Sequence, residues 1–529
     1  RAATGKWHVE GRVQDGPLAG TRVSGWFGGR GEPRFAFETS CSGLSADEVF
    51  WQQIPFGRRV WNDYRVEGGL ALQGAVTSRS EGRVGYSFKV RLTQGGVRTK
   101  FFPARLSSVS GSVEITNTSV VIKDVTGVIP AEEFGQEPGE LPATQVRVNG
   151  AFQMAGGGGS CTVEATGLPL CRASIEAVPG VGPDLWERLR PAGRSRLTLT
   201  LTKPGPGDPM RFTAVTELRG VTLRPGELPL PLEQVSGTVV ADSSGVRLRD
   251  LRGVIVQPDG RQGGASAAPF VVDGFVDRDR RDSVLSVRVR NLRTDEELVK
   301  AVPGVGGQIW EMLRPEVNLE AAIVLRDAPD SDRMSYAALI ECHGGRVGPQ
   351  FFSMPLTDAA GTIRAEAGKV LVEHFTATIV TDEQAGGGTQ TSSTVELRGT
   401  FEPQADRAEF YVTVRDVVLS EELLKAVPRV GERVWEEARP QGVASLNGKV
   451  FYDGRDETPL HYFIDMDLRD VALLAKLLPV PVEACSGQLL ITEQRAISNA
   501  FTGITCGGDF HGALIVYYGA ETELPSYGA

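Results

Sequence analysis

Catalytic equipment is scarce in this chain of 529 residues. Its five histidines, His8, His343, His374, His461 and His511, stand at no recognisable spacing from a nucleophile or an acid, and GxSxG, HExxH and P-loop signatures are missing. No enzyme class follows from such a sequence; a histidine beside a carboxylate would sense pH as readily as it would catalyse. The six cysteines include no CxxC and have no histidine at ligand spacing, so neither a metal nor another cofactor is expected. They read as small buried apolar residues, the alternative being disulfides Cys485–Cys506 or Cys161–Cys171 in an oxidising compartment. Asp465, Asp467 and Asp470 resemble the start of a calcium site, but their sister positions are also charged, which favours a solvated outer face. Apolar runs of about 18 residues are lacking, so no helix of this chain is expected to span a membrane. Positive charge is short too: a net charge of −10 without a large basic cluster argues against a nucleic-acid partner.

What the chain does have is glycine, 64 residues, and proline, 31, set between apolar runs as the turns of an all-β protein would be. With 41% hydrophobic and 23% charged residues it belongs among folded proteins. It also has a period. Trp61, Trp186, Trp310 and Trp435 stand 125, 124 and 125 residues apart. The last three sit in VPGVGPDLWERLRP, VPGVGGQIWEMLRP and VPRVGERVWEEARP, the first in the worn copy IPFGRRVWNDYRV. Such a period marks tandem duplication. The repeats run over 44–167, 168–291, 292–416 and 417–529, preceded by the tail of another repeat over 1–43. Because it opens at Arg1 on such a tail, without a methionine or a leader, the chain is expected to be a fragment of a longer protein.

After the tryptophan, SRLTLTLTK (195–203) sets Leu197, Leu199 and Leu201 on one face and threonines on the other. The next strand reads YSFKVRL (86–92), FTAVTEL (212–218), YAALIEC (336–342) and YFIDMDL (462–468). Its apolar face carries Tyr86, Phe212, Tyr336 and Tyr462, then Phe88, Ala214, Ala338 and Ile464. It continues through Val90, Thr216, Ile340 and Met466 to Leu92, Leu218, Cys342 and Leu468. Lys89, Arg91, Glu217, Glu341, Asp465 and Asp467 stand opposite. Register is thereby specified, since a slip by one residue would turn every side chain over. A proline-marked turn and a hairpin headed by Gly111, Gly237, Gly361 or Gly487 follow. A later strand passes a glycine–aromatic step at Gly25-Trp26, Gly150-Ala151-Phe152, Gly274-Phe275 and Gly399-Thr400-Phe401.

The helical part has Thr294 and Ser420 as N-cap signals, and Leu298, Val299 and Val302 at helical spacing up to Pro303. A second short helix holds the tryptophan as an apolar anchor and stops at the Arg-Pro pair. Arg65, Arg190, Arg314 and Arg439 would cap that helix, the alternative being lipid headgroup contacts. Residues 155–159 and 385–389 read as flexible glycine-rich loop tips.

The fold class expected is mainly β with short helices: tandem repeats of about 125 residues forming an elongated, curled antiparallel sheet, a β-groove, with one short helix pair per repeat. An apolar sheet face must meet a sheet, helices or an oily ligand. The run LPLPLEQVSGTVV…VRLRDLRGVI, the apolar-glycine strand and the helix-Trp-x-x-x-Arg-Pro element together resemble the repeat of AsmA-like proteins. That bacterial envelope group includes TamB and is related in design to bridge-like lipid-transfer proteins. The resemblance covers all four copies. It implies a groove that conducts phospholipid across the periplasm, an anchor in the inner membrane outside this chain, contact with outer-membrane components, and no catalytic residues. The groove candidates are Tyr86, Phe88, Phe212, Ala214, Leu218, Tyr336, Ile340, Tyr462, Ile464 and Met466, with Leu197, Leu199 and Leu201. The alternative is a structural scaffold or surface stalk, each repeat closing into its own β-sandwich and burying that face. Carbohydrate binding by the tryptophans is a third reading, disfavoured by their place on helices.

Overall fold

In the computed structural model the described residues are 6–517 other than 17, 29–33, 54–56, 79–83, 101, 103, 136–141, 155, 177, 179–181, 227, 259–264, 278–281, 303–305, 328–333, 351, 353, 367, 383–389, 428–430, 457–458 and 477–479. The glycine-rich tip at 385–389 lies outside them, as does Ala155 of the other tip. The chain is mainly β, and 26 strands among the described residues form one antiparallel sheet. Two compact units divide it: Arg1–Gly226, Pro231–Gly253 and Asp273–Arg280 form the first, and Glu227–Leu230, Val254–Val272 and Arg281–Ala529 the second.

The first unit begins with β1 (Lys6–Arg12), β2 (Arg22–Gly28) and β3 (Arg34–Ala46). Helices α1 (Glu48–Gln53) and α2 (Gly57–Tyr64) then precede six strands: β4 (Val66–Ser78), β5 (Val84–Arg98), β6 (Arg105–Thr116), β7 (Ser119–Ile129), β8 (Thr144–Gln153) and β9 (Gly159–Pro169). The next pair, α3 (Arg172–Glu176) and α4 (Gly182–Leu189), leads to β10 (Arg194–Lys203), β11 (Arg211–Leu223) and β12 (Leu232–Asp242); the residues of β13 (Gly245–Pro258) and β14 (Ala265–Asp277) are divided between the units, and β15 (Val284–Arg293) belongs to the second. In the second unit α5 (Glu296–Lys300) and α6 (Gly306–Leu313) precede β16 (Glu316–Asp327), β17 (Met334–Arg346), β18 (Thr357–Glu366), β19 (Lys369–Asp382), β20 (Gln390–Glu402) and β21 (Arg407–Leu419). Helices α7 (Glu421–Ala426) and α8 (Gly431–Ala438) precede β22 (Gln441–Asp453), β23 (Leu460–Leu473), β24 (Val482–Thr492), β25 (Arg495–Thr505) and β26 (Gly508–Tyr517). Strands pair with their chain neighbours even across the helix pairs: β3 with β4, β9 with β10, β15 with β16 and β21 with β22.

Bulges divide the strands. In β7, β13, β21 and β23, Asp124, Asp250, Asp416 and Asp470 take left-handed φ values of 46–52°. Each follows a lysine or arginine and precedes an apolar residue. Aspartate tolerates this conformation better than most L-residues, and register shifts accompany it between Ile122 and Val125, Val414 and Val417, and Leu468 and Val471. The amide that the ladder drops is taken up by a neighbouring strand: Asp124 N–H by Asn149 Oδ1 at 2.8 Å, Asp416 N–H by Ser445 Oγ at 3.1 Å. At seven of the left-handed positions the next residue turns inward. Val109, Val221, Val235, Ala359, Val417, Val471 and Cys485 follow Ser108, Gly220, Gln234, Asp358, Asp416, Asp470 and Ala484, and all are 0–1% exposed. The deepest core of both units therefore lies just past the bulges.

Each helix pair is closed by a strand end. Strand ends donate to the last carbonyls of the second helices: Lys100 N–H to Asp63 O at 3.1 Å, Arg224 to Leu189 at 2.8 Å, Gly348 to Leu313 at 2.9 Å and Leu474 to Ala438 at 2.9 Å. These bonds satisfy groups that a helix terminus leaves orphaned. Asp295, not Thr294, caps α5, accepting from Leu298 N–H at 2.8 Å. The Thr294 hydroxyl is committed elsewhere, donating to Pro315 O at 2.7 Å and accepting from Val317 N–H at 2.9 Å. Ser420 does cap α7, through Leu423 N–H at 3.1 Å. Val302 falls beyond the end of α5 and is 47% exposed, so it is no part of a buried helical stripe.

Candidate functional site

Directly opposed residues of antiparallel strands share a face, so the registers trace rows across each sheet. In the first unit Cys41, Leu72, Val90, Val113, Ile122, Gly150, Cys161, Leu201 and Phe212 oppose one another in turn from β3 to β11. Leu197 opposes Thr216, Leu199 opposes Ala214, and Ser195 opposes Leu218. Tyr86 and Phe88 oppose Val76 and Gly74 on this same face. In the second unit Val289, Ala321, Ile340, Ile363, Val372, Gly399, Phe410, Val450 and Tyr462 form a row from β15 to β23. A parallel row links Leu325 with Tyr336, and Ile464 and Met466 oppose Gly448 and Leu446. None of these residues is charged.

The opposite face carries charged pairs, with Tyr411 and Phe463 exposed beside Lys449. Lys89 and Lys123 flank Glu114 at 3.5 and 2.7 Å, and Lys449 meets Glu409 at 2.7 Å. The hydrogen bond from Lys123 holds the Glu114 carboxyl below its ordinary range despite some desolvation. Such exposed pairs contribute little stability, so this wall is solvated rather than structural.

The thirteen groove candidates divide by exposure. Tyr86, Phe88, Ala214, Leu218, Tyr336, Ile340, Ile464, Met466, Leu197, Leu199 and Leu201 are half-buried. Phe212 is 39% exposed. Tyr462 is 8% exposed and belongs to the packed interior of its unit. The apolar surface of these strands is accordingly only partly covered, except around Tyr462. Glycines deepen it where rings must lie flat. A Cβ on Gly74 or Gly399 would strike the ring of Phe88 or Phe410 on the next strand. At two of the glycine–aromatic steps, Gly25 and Gly399, the ring against the glycine is a cross-strand phenylalanine, Phe37 or Phe410, whereas Gly150 lies against Ser160 and Cys161. Gly25 faces Phe37, while Trp26 points to the other face opposite His8 and Ala36.

Trp61, Trp186, Trp310 and Trp435 are half-buried on the second helix of each pair. Four residues on, Arg65, Arg190, Arg314 and Arg439 take φ of 36–39°, and each backbone N–H bonds the tryptophan carbonyl at 2.9–3.1 Å. The arginines thus close the helices through backbone, not side chain, in the left-handed position glycine usually occupies. Four residues before the tryptophans stand Gly57, Gly182, Gly306 and Gly431, which sequence reading passed over. A Cβ on any of them would collide with the carbonyl oxygen of Trp51, Ile175, Val299 or Leu424 in the first helix. Their constant offset from the tryptophan was the available signal.

The cysteines are free thiols. Burial pushes Cys342 up to about 11. Cys342 and Cys485 are buried, but Cys41, Cys161 and Cys171 are half-buried and Cys506 is exposed in the turn after β25, which departs from the expectation that all six are buried. Among the described residues no group of three or more His, Cys, Asp and Glu is placed to hold a metal. His461 meets Glu493 at 3.0 Å and Asp456 at 3.3 Å, and these contacts, Glu493 foremost, raise its pKa against opposing desolvation. Among the described residues no helix is long and apolar enough to cross a membrane. No protein-family model, curated protein or solved structure matches this chain.

Proposed function

We propose that this chain is a non-enzymatic lipid carrier whose uncharged sheet faces hold the acyl chains of phospholipid. In the resembling AsmA-like and TamB-like setting, it would pass lipid between the inner and outer membranes of the bacterial envelope as part of an inner-membrane-anchored parent. One observation carries the reading: the rows through Phe212 and through Ile340 run across nine strands each without a charge, and most of their candidate residues stay half-exposed. A row of this kind in water costs roughly 25 cal/mol for each Å² left wet, a cost that an acyl chain removes. Pairing across each helix pair also disfavours separately closed sandwiches.

The test is organic extraction of the purified 529-residue chain followed by mass spectrometry. Phospholipid above background, lost in the folded triple variant Ala214→Glu, Ala338→Glu and Ile464→Glu, is the expected result. A native sheet that releases no lipid would sink the proposal. Unfolding of the triple variant would favour the scaffold reading instead, because a charge inside a closed sandwich costs several kcal/mol.

A further inference from the structure

The charged face of the second unit changes character across β20 to β23. Arg398 opposes Tyr411, Tyr411 opposes Lys449, and Lys449 opposes Phe463, so cation and aromatic alternate from strand to strand. Their chain neighbours Phe410, Val450 and Tyr462 form part of the uncharged row, so this one looks the other way. Beyond Phe463 stands Thr492, whose hydroxyl accepts from Arg495 N–H at 3.3 Å across a turn, and Arg495 opposes Tyr517. Phe463 is 53% exposed, Tyr411 43% and Tyr517 40%. Exposed rings gathered on a charged face mark an interaction surface.

The sister repeats keep the register with different chemistry. There the places of Tyr411, Lys449 and Phe463 fall to Thr162, Thr200 and Thr213, and to Ser286, Val324 and Ala337. Glu38, Ala75 and Ser87 hold them in the earliest copy. None of these carries a ring or a cation, so the fold of the repeat requires neither. The cations are also held in place. Arg398 Cζ and Lys449 Nζ lie 5.5 and 5.4 Å from the centre of the Tyr411 ring. Lys449 is shared with Glu409 at 2.7 Å, whereas among the described residues Arg398 and Arg495 meet no acid.

Strand spacing sets a period. From Arg398 to Phe463 like residues recur every second strand, about 9.6 Å apart. An extended disaccharide spans nearly that length, and the polarised C–H groups of a sugar ring pack on electron-rich aromatic faces. Nucleic-acid charge is denser, one phosphate for about each 3.4 Å of a duplex strand, and a net charge of −10 repels it. We propose that this row binds an extended polysaccharide carrying one carboxylate per disaccharide. The carboxylates meet Arg398 and Lys449, and the intervening sugars lie against Tyr411 and Phe463. Glu409 and Asp465, beside the row, accept sugar hydroxyls. Arg495 and Tyr517 lengthen the site. It lies on the face opposite the lipid rows and does not rest on lipid binding.

The probe is a fluorescein-labelled hyaluronan decasaccharide, titrated against the 529-residue chain at low salt. Saturable binding by anisotropy is expected, weakening as salt rises. Phe463→Thr, Lys449→Thr and Arg398→Asn give this row the residues of a sister copy, Thr213, Thr200 and Asn149. Circular dichroism should therefore show all three variants folded. Each should weaken binding about tenfold, the loss of a central contact. A neutral chitin oligosaccharide of the same length should bind more weakly than the probe. No binding at about 1 mM protein, binding indifferent to all three substitutions, or chitin binding as tight as the probe would overturn the proposal. So would tighter binding of oligothymidylate or of phosphatidylglycerol vesicles, since the partner would then be a nucleic acid or a membrane.

Discussion

Strand β11 carries two kinds of apolar residue on one face. Phe212, near its start, is 39% exposed; Val221, just past the bulge at Gly220, is 0% exposed. β23 repeats the division with less contrast, Ile464 half-buried and Val471 fully buried. Hydrophobicity is the same on both sides of the bulge. Cover is not: near the bulges the helix pairs and strand ends close over the sheet, as Val417, Leu419, Leu423, Ala426, Ala444 and Val471 do in one cluster. Away from them the face has few neighbours. One continuous apolar pattern therefore serves two purposes, holding the unit together at its base and presenting an apolar surface above it.

Substitutions can test that division, and the largest effect belongs at the base. Val221→Asp places an unpaired carboxylate where no water reaches, and should leave the first unit unfolded in urea titration; a near-wild-type midpoint would erase the distinction. Gly306→Leu drives a side chain into the Val299 carbonyl and should separate α5 from α6, costing roughly 2–4 kcal/mol by thermal melts. Ala214→Glu, on the half-buried part of β11, should cost only about 1 kcal/mol, less than a third of the Val221→Asp effect. It should nonetheless remove bound lipid, read by extraction and mass spectrometry.

Smaller effects probe the edges. Arg190→Gly relieves a left-handed φ of 38° and should raise stability by up to about 1 kcal/mol; a loss would mean the arginine side chain matters more than its backbone. The contact of His461 with Glu493 and Asp456 should give the weakest signal, because the group is largely solvated. Its folded pKa is raised, so the stabilisation is fully present below about pH 6.5 and fades as pH rises through the raised value. A difference between wild type and His461→Gln that grows at acid pH is expected; one that grows at alkaline pH would contradict the assignment.

Much of the strand face was legible. Leu197, Leu199 and Leu201 share a face with Ala214 and Phe212 because period-2 alternation is a property of the extended chain itself. The Lys/Arg-Asp-apolar steps at 123–125, 249–251, 415–417 and 469–471 were visible as charge, but their role as bulges was not. A left-handed residue is chosen by its neighbours as much as by its type, and Gln94, Ser108 and Ala484 adopt it with no aspartate at all. Thr294 was misread as a cap for a similar reason: its hydroxyl could serve the helix or β16, and only the fold brings Pro315 and Val317 within reach. The helix-starting glycines were overlooked because nothing local shows that another helix's carbonyl lies against them.

The sequence by itself determined the mainly β architecture, the recurrence of a helix pair with each tryptophan, and the side of each strand that is apolar. These follow from alternation and repetition, which are local and survive without knowledge of distant contacts. Which part of that apolar side became core was decided only in three dimensions. Val221 and Phe212 differ in burial because of what stands over them, and that is set by bulges, helix packing and strand ends brought together from far along the chain.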